Sequence, residues 1–146
     1  ERLDALLLRT DAVRKELFAE PDYSPEESIR TYDEFYRRAK EGLGAGASVV
    51  MDATFYSRAS RERAAAVARS VGVPWHLLLV TAPEEIVRGR IARRTDDISD
   101  ADFRVYLEMK AIFEPVTEEH WEIDNSGELA ALTEEIDRWL ATVNHM

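Results

Sequence analysis

The chain has 146 residues, of which 45% are hydrophobic and 33% are charged, and it contains no cysteine. These totals predict one soluble globular domain with its own core, and they exclude disulfide bonds and thiolate metal sites. Its 19 basic and 29 acidic residues give a net charge of -10, which disfavours a broad binding surface for nucleic acid or anionic lipid. We find no targeting segment and no stretch approaching a membrane span, and therefore predict a cytoplasmic protein without a membrane partner.

The first predicted elements are a strand and two helices. Residues Ala5–Arg9 form an apolar run of strand length, and the apolar residues that follow fall on one helical face. Ser24, with Pro25 next and Glu27 three positions on, has the pattern of a capping box with proline at the first helical position. This pattern predicts a helix from Pro25 to about Glu41. We expect this helix to bury Ile29, Tyr32, Phe35 and Ala39, with Tyr36 at the edge of the buried face.

A strand followed by a helix is predicted twice more. Ser48–Asp52 is a second apolar run, and the alanine-rich helix from about Arg58 to Val71 is closed by Gly72. A third run, Trp75–Val80, precedes a helix from Pro83 to about Arg94. Weaker patterns predict a helix from Ser99 to Phe113, a strand from His120 to Ile123 and a last helix from Ser126. Apolar strands alternating with helices indicate an α/β domain whose parallel sheet is covered by helices on both faces.

Polar residues stand at the end of the first predicted strand. Asp11 is placed to accept a proton from a hydroxyl substrate, and Arg14, one helical turn later, to hold an anionic group or to steady the acid. The alternative is a helix cap, in which Thr10 or Asp11 satisfies free amides and Arg14 is solvated. These residues alone leave both interpretations open.

A second acid ends the second predicted strand. Asp52 can hold a magnesium ion, usually through water, and Thr54 can add an oxygen contact two places later. The alternative is an acid that is satisfied by loop amides. The carboxyl ends of parallel strands share one edge of a sheet, where open α/β sheets bind ligands. We therefore expect Asp11 and Asp52 to face a common crevice.

Four arginines fall within seven residues of the stretch "VRGRIARRTDD". Fixed cations of this kind can neutralise the charge on a phosphoryl group during its transfer. A solvated helix face paired with Asp96, Asp97 and Asp100 explains the same residues.

The stretches "LLLRTDAVRKEL", "GASVVMDATF", "VTAPEEIVRGRIARR" followed by "SDAD", and "IDNSG" occur in that order. Together they resemble the P-loop kinases of the small-molecule and polynucleotide kinase group. The likeness is greatest to the ATP-binding kinase domain that is fused to aminoglycoside-phosphotransferase-like domains, and lower to zeta toxins and chloramphenicol phosphotransferase. It covers nearly the whole chain and implies an α/β fold of the P-loop kinase type.

The resemblance implies an acceptor side and a nucleotide side. On the acceptor side, Asp11 matches the general base, Arg14 and Thr54 are the expected substrate-binding residues, and Asp52 matches the acid near magnesium. On the nucleotide side, the matching residues are the lid arginines Arg90 and Arg94, in a lid region of about residues 90–114, and Asp124, Ser126 and Gly127 in the loop near the adenine. The implied cofactors are ATP and Mg²⁺.

One family motif is missing from the sequence. The phosphate-binding pattern Gly-x-x-x-x-Gly-Lys-Ser/Thr occurs nowhere, and "GLGAGAS" lacks the lysine and precedes a strand. The resemblance implies that the first strand, which is central in the sheet, and the phosphate loop are absent. We therefore expect the chain to be a fragment that is inactive by itself.

The expected function of the intact parent is transfer of the ATP γ-phosphate to the hydroxyl of a small molecule. The alternative is a degenerate nucleotide-binding or interaction module without catalysis. A nuclease or a kinase of nucleic-acid ends is a third possibility, which the acidic net charge weakens but a small basic pocket would permit.

Overall fold

The computed structural model describes residues 4–94 and 102–143. Four strands and six helices alternate in this part of the chain, as the sequence predicts. In chain order they are β1 (Ala5–Arg9), α1 (Thr10–Leu17), α2 (Pro25–Gly44), β2 (Ser48–Asp52), α3 (Arg58–Val71), β3 (Leu78–Thr81), α4 (Glu84–Arg93), α5 (Phe103–Ile112), β4 (Trp121–Asp124) and α6 (Leu129–Val143).

The chain divides into two compact units. Among the described residues, unit 1 comprises residues 4–75 and 112–114, and unit 2 comprises residues 76–94, 102–111 and 115–143. The described strands form two parallel pairs, β1 with β2 and β3 with β4. The predicted α/β class is confirmed.

In unit 1, helix α2 lies against one face of the β1–β2 pair. Its residues Phe35, Tyr36 and Ala39 form a buried cluster with Leu8 of β1 and Val13 of α1. The end of α2 comes so close to the strands that a Cβ on Gly42 would lie 2.9 Å from Leu6 Cδ2. The sequence thus packs helix on strand through aromatic side chains in the middle of α2 and a glycine near its carboxyl end.

Helix signals in the sequence are realised in unit 1. The Ser24 hydroxyl accepts a hydrogen bond from the Glu27 amide (3.2 Å), so α2 begins at the predicted Pro25. The Ser57 hydroxyl likewise accepts from the Ser60 amide at the start of α3, and Gly72 ends that helix with φ +74°. Such a left-handed residue is cheap only for glycine.

The prediction that Ile29 is buried is wrong. Its side chain is 62% exposed, because the buried stripe of α2 passes through Glu27, Thr31 and Phe35. These three residues are four apart and share a face, whereas Ile29 is two residues from each of the first two and points to the opposite side. Because Glu27 and Thr31 are polar, the apolar pattern of the sequence does not indicate the buried face of α2.

In unit 2, strands β3 and β4 pair in parallel, with Val80 opposite Ile123. Ile123 is 1% exposed and is the buried apolar residue of β4. The third strand begins at Leu78 and not at Trp75, and the last helix begins at Leu129 and not at Ser126. Asp124 explains the later start of α6, because its carboxylate accepts a hydrogen bond from the Ser126 amide (2.8 Å) and holds a turn there.

Three predictions concern residues beyond the described ranges. Ser99, the predicted start of the fifth helix, lies outside them, as do part of the expected lid region and the expected arginine partners Asp96, Asp97 and Asp100. None of the helices in the described ranges is both long enough and apolar enough to span a membrane.

Candidate active site

The carboxyl ends of β1 and β2 lie side by side. Their parallel register pairs Arg9 with Asp52, and the Arg9 Nε lies 3.0 Å from Asp52 Oδ2. The Asp52 carboxylate is therefore held by the side chain of Arg9, and it does not depend on hydrogen bonds from loop amides. Asp11 follows Arg9 by two residues, so both acids stand at the same edge of this sheet, as the sequence predicts.

Asp11 lies in the first turn of α1 and is half-buried. The residue before the helix is Arg9, and it makes no side-chain cap hydrogen bond, so the helix-cap interpretation of this segment is not realised. Within residues 4–94 and 102–143, the Asp11 carboxylate has no hydrogen-bond or ion-pair partner. A half-buried carboxylate without such a partner is available to a substrate proton.

Tyr32 of α2 lies near the two strand ends. Its phenol lies beside Thr54, two residues beyond β2, and its ring packs 6.1 Å from that of Phe35. Burial raises the pKa of Tyr32, and the Thr54 hydrogen bond and the Arg14 charge act in the opposite direction. The charge of Asp11 also acts on this phenol. The structure thus brings three predicted site residues, Asp11, Arg14 and Thr54, to the surroundings of one tyrosine.

Arg14 is buried and paired. Its Nη1 lies 2.6 Å from Glu27 Oε1, and its guanidinium lies 4.8 Å from the ring centre of Tyr23. The second carboxylate oxygen of Glu27 accepts a hydrogen bond from the Asp22 amide (2.8 Å). The capping box is therefore only half formed, because the Glu27 carboxylate turns to Arg14 and Asp22 while the Ser24 amide bonds Asp22 Oδ1.

A magnesium ion would find one suitable ligand at this edge. Asp52 has a 57% exposed side chain, and Mg²⁺ commonly takes one or two carboxylates with the rest from water and phosphate oxygens. No group of three or more potential metal ligands occurs within the described ranges. The donor set fits an ion that is held partly by its nucleotide, and it does not fit an all-protein metal cage.

Unit 2 contains a second polar site, between α4 and the loop after β4. A pocket of about 630 Å³ is lined by residues from these two segments. They are Glu85, Ile86, Arg90, Arg93, Arg94, Ser126, Gly127, Glu128 and Leu129. The structure thus brings together both predicted lid arginines and the predicted adenine loop.

Arg90 ties α4 to that loop. Its two terminal nitrogens donate to the carbonyl oxygens of Asn125 and Gly127, the latter at 3.1 Å. Hydrogen bonds from Ser126 lower the pKa of Asp124, so this carboxylate is ionised as it holds the turn. The loop is thereby fixed from both of its ends.

The family to which the sequence belongs is decided by its first 116 residues. The family described as "AAA domain" matches residues 1–116. The chain belongs to this AAA domain family. Among curated proteins, none matches the sequence.

Solved structures share the fold of this AAA domain. A candidate kinase from Chloroflexus aurantiacus superposes with a TM-score of 0.63 at 15% identity, covering 94% of this chain and 82% of its own. A sugar kinase from Janibacter sp. gives 0.63 at 15%, covering 94% and 80%. The tunicamycin resistance protein of Deinococcus radiodurans gives 0.56 at 12%, covering 93% and 82%. At these identities the likeness establishes the fold, which is of the P-loop kinase type.

Sequence reasoning missed two residues of the AAA domain that contact the predicted site residues. Glu27 was interpreted as part of a capping box, although its carboxylate neutralises Arg14. Tyr32 was assigned to the core, although its phenol meets Thr54. No pattern in the sequence signals the strained backbone of Tyr23, whose φ is +57° and whose ring lies over Arg14.

Proposed function

We propose that this AAA domain belongs to an ATP-dependent phosphotransferase that acts on the hydroxyl group of a small molecule. The observation that carries the proposal is the Asp11 carboxylate, which stands at the carboxyl end of β1 without a partner among the described residues. A group of this kind is what a hydroxyl acceptor needs, because the proton must leave as the oxygen attacks.

The proposed roles follow from where each group stands. The acceptor oxygen forms a bond to the γ-phosphorus, ADP leaves with the electrons of the broken bond, and Asp11 takes the acceptor proton. Asp52 holds Mg²⁺, which supplies charge neutralisation on the phosphates when bound. Thr54, beside the phenol of Tyr32, is proposed to line the acceptor side.

In unit 2, Arg90 and Arg94 are proposed to stabilise the transferred phosphoryl group. Each terminal nitrogen of Arg90 keeps a second N–H after its bond to a loop carbonyl. The turn formed by Asp124 and Ser126, with Gly127, is proposed to face the adenine mainly through backbone groups.

We further propose that the phosphate loop is supplied by a segment of the parent protein outside these 146 residues. The sequence lacks the glycine-rich loop with lysine. The three solved structures are matched over 80–82% of their own length, while 93–94% of this chain is used. The residues encoded directly upstream decide the point, since the proposal requires that motif there.

Asp11→Asn in the full-length protein tests the function. We expect turnover to fall by roughly 10²- to 10⁴-fold, because the variant cannot take the proton, while ATP affinity changes little. Steady-state ADP release and ATP titration measure the two quantities. Asp4→Asn, an exposed acid just before β1, makes the same change outside the site and should leave turnover unaltered. Near-normal turnover of Asp11→Asn would remove Asp11 from the role.

A degenerate module without catalysis is the second candidate, and the missing phosphate-loop pattern is what favours it. The two candidates differ in a simple measurement. The full-length phosphotransferase consumes ATP when a suitable hydroxyl compound is present, whereas the module binds without consuming it.

A further inference from the structure

The guanidinium of Arg14 is occupied on three sides. Nη1 donates to Glu27 Oε1 at 2.6 Å, Nη2 lies 3.4 Å from the Ser28 hydroxyl, and the Tyr23 ring covers its face. Arg14 and Glu27 have 9% and 5% of their side chains exposed. The electrostatic fields of the two opposite charges cancel at longer range, so Arg14 attracts an anionic group only weakly.

Glu27 holds this arrangement together. One of its oxygens binds Arg14 of α1, and the other binds the Asp22 amide in the segment between α1 and α2. The carboxylate is thus fixed from both sides and is not free to leave Arg14 without breaking the loop bond. Thr31, fully buried one turn later, donates to the Glu27 carbonyl and anchors the same turn of α2.

The other charges at this end of unit 1 include two acids, an arginine that is ion-paired, and two further cations. Asp11 has no ion-pair partner within the described ranges, and hydrogen bonds from Ser24 lower the pKa of Asp22. Arg9 pairs with Asp52. Arg30 lies over the ring of Phe18, 4.9 Å from its centre, and Lys15 is exposed, where water screens its charge.

We infer that Glu27, by neutralising Arg14, restricts the acceptor to uncharged hydroxyl compounds and excludes acceptors that already carry a phosphate. The inference rests on the proposed function and names its substrate class. A phosphate group on the acceptor, placed beside Asp11, would meet a carboxylate without a counter-ion among the described residues. It would also meet an arginine whose charge Glu27 already neutralises. Repulsion between like charges at a binding site is a common means of rejecting the wrong partner.

Wild-type full-length protein gives the first test. Matched acceptors that differ by one phosphate, a sugar with its monophosphate and a nucleoside with its 5′-monophosphate, are compared by kcat/KM at saturating Mg·ATP. We expect the uncharged member of an accepted pair to be preferred by at least ~10-fold. An equal or greater value for the phosphorylated member would overturn the inference and leave the phosphotransferase intact. Transfer to no acceptor of either class would overturn the proposed function and this inference together.

Glu27→Gln tests the residue itself. Glutamine keeps the size and an acceptor oxygen for Arg14, but it leaves the arginine charge uncompensated. We expect the preference to shift toward the phosphorylated member by roughly 10-fold. Asp33→Asn is the matched control, because it removes one negative charge from the same helix, at an exposed pair with Arg63. An unchanged preference in Glu27→Gln, or an equal shift in Asp33→Asn, would count against the inference.

A second variant covers the case in which Glu27→Gln does not fold, since a buried guanidinium left without its partner is destabilising. Arg14→Gln with Glu27→Gln removes both charges and keeps polar side chains at both positions. The inference predicts the wild-type preference for this double variant, because the pair contributes no net charge. A preference of the double variant for phosphorylated acceptors would contradict the inference. The kcat/KM ratio of the wild-type protein tests the inference even if neither variant folds.

Discussion

At high pH, the stability of unit 1 depends on the titration of Tyr36. It is 4% exposed, and its phenol donates a hydrogen bond to the Ser60 carbonyl at 2.9 Å. Burial raises the pKa of Tyr36 to about 12 from its ordinary value of 10.0. The folded state therefore keeps a proton that the unfolded chain releases first. This contribution to stability is fully present below pH 10 and is lost as the pH rises toward 12.

Tyr36→Phe should remove the part of the pH dependence of stability that arises from Tyr36. At pH 7 we expect the variant to lose about 1 kcal/mol, because the Ser60 carbonyl loses its donor. Above pH 10 the free energy of unfolding should fall less steeply than in the wild type, although Tyr32, whose pKa burial also raises, keeps part of the decline. Urea unfolding between pH 7 and 11.5 measures both effects. Tyr106→Phe, in unit 2, is the control, and equal slopes for wild type and Tyr36→Phe would contradict the assignment.

Residue patterns located the acids of the site but not their partners. Asp11 and Asp52 could be predicted because strand ends are readable from apolar runs, and parallel strands bring those ends to one edge. The pairing of Arg14 with Glu27 spans 13 positions and depends on how the segment between α1 and α2 turns back. No local pattern specifies that turn. The roles of Arg14 and Thr54 in binding an acceptor stay predictions.

At the scale of elements, local signals predicted unit 1 better than unit 2. Strands β1 and β2 and helix α3 have the predicted bounds, because short apolar runs mark the two strands and Gly72 marks the end of the helix. The third strand is predicted three residues too early, since Trp75, His76 and Leu77 lead into the apolar run but lie outside the register with β4, which starts at Leu78 opposite Trp121. An apolar run predicts that a strand exists. Where β3 starts is determined by its pairing with β4.

The loop after β4 gives a prediction about α4. Arg90 donates to the carbonyls of Asn125 and Gly127, so Arg90→Met, which keeps much of the apolar stem, should free the loop from the helix. We expect amide hydrogen exchange in residues 125–128 to quicken by roughly fivefold, the effect of losing about 1 kcal/mol of hydrogen bonding.

Arg93→Met is the matched control for this loop. The Nε of Arg93 donates to Gly89 within α4, so its loss should not change exchange in the loop. Equal exchange in Arg90→Met and wild type, or the same acceleration in both variants, would show that Arg90 does not order the loop.

On the scale of the whole molecule, the β1–β2 sheet has one covered and one open face. Leu6 and Val49 face α2, where both approach Gly42, and their neighbours Leu7 and Val50 alternate to the other side. Leu7 is 58% exposed and Val50 40% exposed. Parallel sheets are usually buried on both faces, so two exposed apolar residues side by side are unusual in such a sheet. Arg9 and Asp52 lie on the same open face and pair with each other.

Leu7→Thr with Val50→Thr tests whether that face is open in the 146-residue chain. Threonine is a good strand former, and an exposed position loses little by the change, so we expect a loss of no more than about 0.5 kcal/mol in unfolding free energy. Binding of a hydrophobic dye should fall, because an exposed apolar surface is removed. Val13→Thr, at a residue 1% exposed, should instead cost more than about 1 kcal/mol, since it buries a hydroxyl in the core. If the double variant is destabilised as much as Val13→Thr while dye binding stays constant, the face is covered and the sheet is buried on both sides.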